Sequence, residues 1–179
     1  MRSTDLRKPV MQDDSTQRMI ACIPRLRRYA RALIGDRTGA DDLVQDTMEH
    51  GWRRMSSWRP GTDMRAWLFG IMHNLHIDQV RRPSITTVEL DDETPMPSIP
   101  APQADRMRLR DMESALKTLP AEQREILLLV ALEVMTYEEV SATLGIPVGT
   151  VMSRLSRARE RLRAHMEGQT VASPLKVVK

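Results

Sequence analysis

A proline-rich, acidic segment near the middle of the chain limits what the rest of it can fold into. Residues 83–105 contain five prolines and five acidic residues, with no lysine or arginine. Proline fixes φ and removes a backbone donor, so this composition favours an extended linker over a helix or a strand. We therefore predict two small domains, 15–82 and 106–167, with a flexible N-terminus at 1–14 and a flexible tail at 168–179.

The composition favours helices within both domains. Aromatic residues make up only 3% of the chain, so the cores must consist mainly of aliphatic side chains and methionine. Strands draw on β-branched and aromatic residues, so we predict an all-α fold. A single cysteine excludes an internal disulfide, and no apolar run approaches the roughly 18 residues that cross a bilayer. The N-terminus has no apolar signal segment, so we expect a cytoplasmic protein without membrane insertion.

Apolar residues recur every three or four positions in three stretches of the first block, which is the spacing of one helix face. The first stretch stops before Gly35, a residue typical of helix ends. Asp41 or Asp42 is placed to cap the second helix, and the third helix should run from about Met64 to Arg82. The predicted core stripes are Ile23, Leu26, Ala30 and Leu33; Val44, Met48, Trp52 and Met55; and Leu68, Ile71, Met72 and Leu75.

The second block ends in a pattern typical of a helix-turn-helix. Pro120 is expected at the first position of a largely apolar helix, where its missing N–H costs little. Thr136 and Glu139 then have the spacing of a capping box. Gly145 marks the end of that short helix, and Pro147 lies near the start of the last one. Two helices joined by a short turn containing glycine make this motif.

The last helix carries the features that point to DNA. Five arginines lie between residues 145 and 163. A helical projection gathers the apolar residues Val148, Val151, Leu155, Ala158 and Leu162 on one side. It places Arg157 opposite them, Arg154 and Arg161 on one flank, and Arg159 near the packed side. Arginine pairs bidentately with guanine edges or phosphates, and small residues let a helix enter the major groove. A solvated basic helix at the end of a bundle would have the same charge, but the turn and the capping box favour DNA binding.

Two parts of the chain resemble bacterial sigma factors of the extracytoplasmic-function (ECF) group. The stretches YARALIGDRTGADDLVQDTMEHGWRR and WLFGIMHNLHIDQVRR resemble sigma region 2, and LPAEQREILLLVALEVMTYEEVSATLGIPVGTVMSRLSRARERL resembles region 4. They stand in the family's order on either side of the linker and cover roughly residues 20–82 and 104–165. The resemblance implies a dissociable RNA polymerase subunit that directs promoter-specific initiation without a cofactor and without covalent catalysis.

For region 4, the resemblance implies contact with the −35 promoter element and with the β flap of core polymerase. Ser153 and Arg157 are the residues that we expect to reach base edges. Met152 departs from the family pattern, which frequently has lysine or arginine at this position. The −35 candidates are Thr150, Met152, Ser153, Arg154, Ser156 and Arg157.

For region 2, the resemblance implies opening of the −10 element. Asn74 aligns with a base-recognising position, and the loop SSWRPGTDM aligns with the loop that holds a flipped base. Gly70 and His73 stand where basic residues are common in the family. Trp52 and Trp67 are also expected to pack in the core, which leaves two roles open for Trp67. The −10 candidates are Trp58, Trp67, His73, Asn74, Arg81 and Arg82.

The resemblance also implies protein partners. The stretch DDLVQD aligns with the segment that binds the β′ clamp helices, although an acidic helix start with ordinary capping would look the same. The candidate residues for this contact are Asp42, Gln45, Asp46 and Glu49. An anti-sigma factor that clamps the two domains is a further implied partner. The acidic linker is expected either to imitate RNA in the exit channel or to serve as a solubilising spacer.

Two other functions remain as alternatives. The chain could be a sigma-like decoy that binds an anti-sigma factor without using promoters, or a stand-alone helix-turn-helix regulator. The latter leaves the first block unexplained. His73 and His76 have a spacing that can hold a metal, but no third ligand stands nearby, so we expect no metal site.

Overall fold

The computed structural model describes the backbone of residues 8–81 and 103–168 and the side chains of residues 14–81 and 110–168. The prediction of an all-α fold is confirmed, because the regular elements in these ranges are helices. A short 3-10 turn, Met55–Ser57, follows α3. The helices are α1 Lys8–Ala21, α2 Ile23–Ile34, α3 Arg37–Arg53, α4 Met64–Arg81, α5 Gln103–Lys117, α6 Ala121–Ala131, α7 Tyr137–Leu144 and α8 Val148–Met166.

The helices differ from the predicted domain boundaries at two places. Helix α1 begins at Lys8, within the segment 1–14 that the sequence predicted as a flexible N-terminus. Pro9 lies in its first turn, where the missing N–H would have no helical partner in any case. Helix α5 begins at Gln103, within the predicted linker 83–105. The rest of that linker, together with Arg82 and residues 169–179 of the tail, lies outside the described residues.

Local capping fixes the helix ends that the sequence predicted best. The Thr136 hydroxyl accepts a hydrogen bond from the Glu139 N–H at 3.2 Å, and the Glu139 carboxylate accepts one from the Thr136 N–H at 2.8 Å. This reciprocal pair confirms the capping box. Gly35 and Gly145 both end helices in the left-handed region, with φ of 82° and 65°. Glycine reaches this region without the steric cost of a Cβ.

Two predicted helix starts are wrong. Asp36, and neither Asp41 nor Asp42, caps α3, since its carboxylate accepts a hydrogen bond from the Gly39 N–H at 2.6 Å. Asp41 lies one turn inside the helix, with its carboxylate 3.5 Å from the Arg27 guanidinium. Helix α3 therefore begins directly after the Gly35 turn. Pro120 is the N-cap of α6 and stands one position before the first helical residue.

The two domains share a single buried cluster of apolar residues. Helices α2, α3 and α4 pack together in the first domain, and α6, α7 and α8 in the second, with α5 against α8. The stripe of α4 is confirmed, because Leu68, Ile71 and Met72 are buried. The prediction for Trp52 is wrong: it is 55% exposed. Helical spacing groups it with Val44 and Met48, but the residue at this end of α3 that is buried against α1 and α4 is the adjacent Gly51.

Cys22, the single cysteine of the chain, lies within this core. Cys22 is buried, and its thiol donates to the Arg18 carbonyl at 3.3 Å. Burial, and then the negative charge of Asp63, raises the pKa of the Cys22 thiol, so it stays protonated and unreactive at neutral pH. Neither described stretch of the chain contains a helix with the length and apolar character needed to cross a membrane.

Candidate nucleic-acid interface and domain contact

Helix α8 packs on the second domain with one face and presents a polar face on the other side. Val151, Leu155 and Ala158 are each no more than 2% exposed and hold the helix against α6 and α7. Ser153 and Arg157 lie on the opposite side and are exposed. The Ser153 hydroxyl donates to the Thr150 carbonyl at 3.1 Å, which leaves its lone pairs able to accept. A helix with this division of faces can enter a DNA groove without losing its core contacts.

The remaining −35 candidates lie at the edges of this polar face. Met152 is 53% exposed and lines a surface groove with Tyr137 and Ser156. The Arg154 guanidinium lies 2.7 Å from the carboxylate of Glu122, at the start of α6. Because this side chain already has a carboxylate partner, DNA phosphates would have to compete with Glu122 for Arg154. The sequence listed Arg154 among the −35 candidates but gave no sign of its pairing with Glu122.

The structure separates the −10 candidates into exposed and covered residues. Asn74 and Arg81 are exposed on α4, and Trp67 is partly buried on the same helix. Trp58 is only 6% exposed, so its ring is covered by the core in this conformation and cannot stack on a base. The prediction that Trp58 faces DNA is therefore corrected. Trp58 lies in the loop SSWRPGTDM, which resembles the family's flipped-base loop, but its side chain is buried in the core.

His73 also lies away from solvent, at the contact between the two domains. Its ring nitrogen Nδ1 is 2.7 Å from a carboxylate oxygen of Glu125, which is 5% exposed in α6. Burial lowers the pKa of the neighbouring His76, which favours its neutral form. Within the residues that the structure describes, no group of three metal-binding side chains includes either histidine. His73 in this state is a domain-contact residue.

The four candidates for polymerase contact follow one face of α3. They stand at positions i, i+3, i+4 and i+7, which is one helix face. Asp42, Gln45 and Glu49 are exposed, and Asp46 is partly buried. The Glu49 carboxylate pairs with Arg53 one turn later, which leaves this face acidic but partly neutralised.

A set of arginines that sequence reasoning did not find joins the domains. Arg124 of α6 donates to the Leu33 carbonyl at the end of α2, at 2.7 Å. In return, Arg28 of α2 donates to the Leu132 carbonyl at the end of α6, at 3.0 Å, and Arg65 of α4 donates to the Glu133 carbonyl at 2.7 Å. Each domain thus satisfies carbonyls at a helix end of the other.

Glu133 is the centre of this contact. Its side chain is fully buried, and one carboxylate oxygen accepts from Arg28 at 2.9 Å. The only signal for it in the sequence was its place, with Glu125, in the apolar run EILLLVALEV. A charged residue in such a run needs a partner, because an unpaired buried charge is costly. The partners lie more than 60 residues away in the chain, so spacing could not identify them.

Comparison with known families matches each domain separately. The family described as the Sigma2 domain of PhyR matches residues 19–73. The family described as Sigma-70, region 4, matches residues 109–162. The two matches fall on the two helical domains and leave the linker between them.

Known proteins resemble the chain over most of its length. The ECF RNA polymerase sigma factor EcfG of Rhodopseudomonas palustris is 35% identical over 86% of this chain and 86% of its own length. The sigma factor RpoE of Bartonella quintana, solved with the anti-sigma factor NepR, has a TM-score of 0.71 at 32% identity, covering 86% of this chain and 97% of that one.

The anti-anti-sigma factor PhyR of Bartonella quintana, also solved with NepR, shares the fold alone. Its TM-score is 0.56 at 18% identity, covering 82% of this chain and 48% of that one. The similarity to EcfG is nearly twice as high in identity and extends over most of both chains. On this evidence, with both regions present in order, the chain belongs to the ECF family of RNA polymerase sigma factors.

Proposed function

We propose that this sigma factor recognises the −35 element through the exposed face of α8 and the −10 element through α4. The observation that carries the proposal is the division of α8 into a buried apolar face and an exposed face with Ser153 and Arg157. Region 4 residues on such a face can read base edges in the major groove. Asn74 and Arg81 are the described −10 candidates that α4 leaves exposed.

The acidic face of α3 is the proposed contact for the β′ clamp helices of core polymerase. Asp42, Gln45 and Glu49 are exposed there and suit a basic partner surface. Contact of the second domain with the β flap is proposed from its match to Sigma-70, region 4. Sigma factors are not enzymes, and we extend this to the present chain, which would act by binding and strand opening in the cytoplasm.

An anti-sigma factor is the proposed regulatory partner. RpoE of Bartonella quintana is solved in complex with such a protein, and the present chain covers 97% of that RpoE chain. The family match of the first domain to PhyR favours the decoy alternative. The chain is 18% identical to PhyR of Bartonella quintana and 35% identical to EcfG, and this difference in identity supports the sigma factor. The stand-alone regulator leaves the matched first domain without a role.

The polymerase contact is tested by binding to core enzyme. We expect the purified chain to co-elute with core RNA polymerase, and Asp42→Lys with Glu49→Lys to weaken this association by about tenfold or more. Facing like charges across an interface costs several kcal/mol, and about 1.4 kcal/mol is a factor of ten. Asp111→Lys with Glu113→Lys makes the same charge change at two exposed positions of α5 and serves as the control.

The decoy alternative predicts a different result in the same experiment. The chain would then fail to co-elute with core polymerase while still binding an anti-sigma protein tightly. Equal binding by the α3 variant and by the doubly substituted α5 control would show that the polymerase contact lies elsewhere on the chain.

A further inference from the structure

The contact between the domains places a buried carboxylate of the second domain among basic side chains of the first. The Glu133 side chain is 0% exposed, and the three guanidinium groups within 4.0 Å of it belong to Arg25, Arg28 and Arg65. Arg25 and Arg28 lie on α2, and Arg65 lies on α4. Separation of the domains would therefore remove all of these counter-charges from Glu133 at once.

The turn that carries Glu133 has a strained backbone. Val134 has φ of 56°, a left-handed conformation that a β-branched residue rarely adopts. The side chain is 80% exposed, so its own packing does not explain this conformation. The neighbouring carbonyls of Leu132 and Glu133 accept hydrogen bonds from Arg28 and Arg65. The first domain thus contributes to holding the turn in a shape that costs free energy.

A second part of the contact covers one side of α4. Gly70 and His73 lie about one turn apart on this helix, and both stand where the family commonly has basic residues. A Cβ added at Gly70 would lie at van der Waals contact, 3.4 Å, from the Thr143 carbonyl at the end of α7, so this position of α4 lies directly against the second domain. His73 meets the buried carboxylate of Glu125 at 2.7 Å. Both departures from the family pattern therefore lie at the domain contact.

The contact is built to be separable. Among the residues that the structure describes, only one oxygen of Glu133 accepts a hydrogen bond, while Oε2 is buried and has Arg25 and Arg65 no closer than 3.9 Å. A buried carboxylate with incomplete hydrogen bonding recovers only part of its desolvation cost. Opening would return Glu133 to water and relax Val134, and both changes offset the loss of the arginine contacts.

We propose that the arginines around Glu133, with the His73–Glu125 pair, form an internal latch that holds the two domains closed without any partner protein. In the closed form, the Glu125 carboxylate and the Thr143 carbonyl of the second domain cover the Gly70–His73 side of α4. Opening is then required before this side of α4 can meet a DNA strand. This consequence for DNA rests on the proposed function, whereas the closure itself does not.

The latch is tested by fluorescence energy transfer in the full chain. Dyes are attached at Ser56→Cys and Glu167→Cys, two exposed positions in different domains, in a Cys22→Ala background. We expect Glu133→Gln to raise the open fraction by about tenfold or more, seen as a change in transfer efficiency. Arg28→Gln with Arg65→Gln should do the same from the other domain. Combining both sets should add little, since they remove one interaction.

The control is Glu113→Gln, an exposed glutamate of the second domain, which should leave the transfer efficiency unchanged. If Glu133→Gln loses its helical circular dichroism, the energy transfer of Arg28→Gln with Arg65→Gln alone tests the latch. Unchanged transfer in that variant would overturn the latch.

Affinity for a short randomised single-stranded DNA provides the second readout. The latch predicts about tenfold tighter binding in the opened variants, because the competent fraction rises. Opening without tighter binding would overturn the claim about α4. Failure of the proposed function would look different: no variant would initiate transcription with core polymerase, whatever the energy transfer.

Discussion

Phe69→Ala is expected to lower the free energy of unfolding of the first domain by about 3–5 kcal/mol, which is usual for a buried aromatic residue. The Phe69 side chain is 2% exposed, and its ring meets the fully buried ring of Tyr29 edge to face, with centroids 4.9 Å apart. Such aromatic pairs contribute about 0.5–1.5 kcal/mol beyond the area that they bury. The chain has only one phenylalanine and two tyrosines, so this pair has no substitute in the core.

Tryptophan fluorescence during urea unfolding checks this expectation. All three tryptophans, Trp52, Trp58 and Trp67, lie in the first domain, so their emission reports on that domain. Met152→Ala is the control, because Met152 is 53% exposed on α8 and its truncation should change stability little. An unfolding midpoint for Phe69→Ala equal to that of the wild type would contradict the described core.

Arg157→Ala is expected to weaken binding to the −35 element by about 5- to 150-fold, the loss of roughly 1–3 kcal/mol that a bidentate arginine–base contact provides. Because Arg157 is exposed and opposite the buried face of α8, the free energy of unfolding should stay within about 0.5 kcal/mol of the wild type. The same variant should bind core polymerase normally. This combination separates a DNA contact from a packing residue.

The measurement compares the chain's binding to two duplexes, one with and one without the −35 match. Arg163→Ala removes the same charge from an exposed position near the end of α8 and controls for general electrostatic attraction. The Arg157 variant should lose preference between the duplexes, whereas the Arg163 variant should keep it. An equal loss on both duplexes would mean that Arg157 contacts phosphates only.

Local signals in the sequence predicted much of the fold. The Thr136–Glu139 capping box and the Gly35 and Gly145 helix ends depend on residues a few positions apart, so the sequence contains all the information that they need. The buried stripe of α8 follows from helical spacing for the same reason. The prediction for the cap of α3 was wrong because three aspartates lie close together in the sequence. The one nearest the preceding turn, Asp36, caps the helix.

Long-range contacts could not be predicted in this way. Trp52 was expected in the core and Trp58 near DNA, but Trp52 is exposed and Trp58 is buried. Burial depends on which parts of the fold cover each side chain, and spacing in the sequence does not show this. The partners of Glu133 are brought together only when the domains meet. Gly70 and His73 drew notice as departures from the family, but their place at the domain contact required coordinates.

Sequencing of run-off transcripts tests whether this chain directs core RNA polymerase to specific promoters. Genomic DNA is transcribed by core RNA polymerase with and without the purified chain. We expect a small set of start sites that appear only with the chain and share sequences near −10 and −35. Arg157→Ala should reduce use of those with the best −35 match. The chain does not act as a promoter-directing sigma factor if it is folded and binds an anti-sigma protein but yields no start sites beyond those of core polymerase alone.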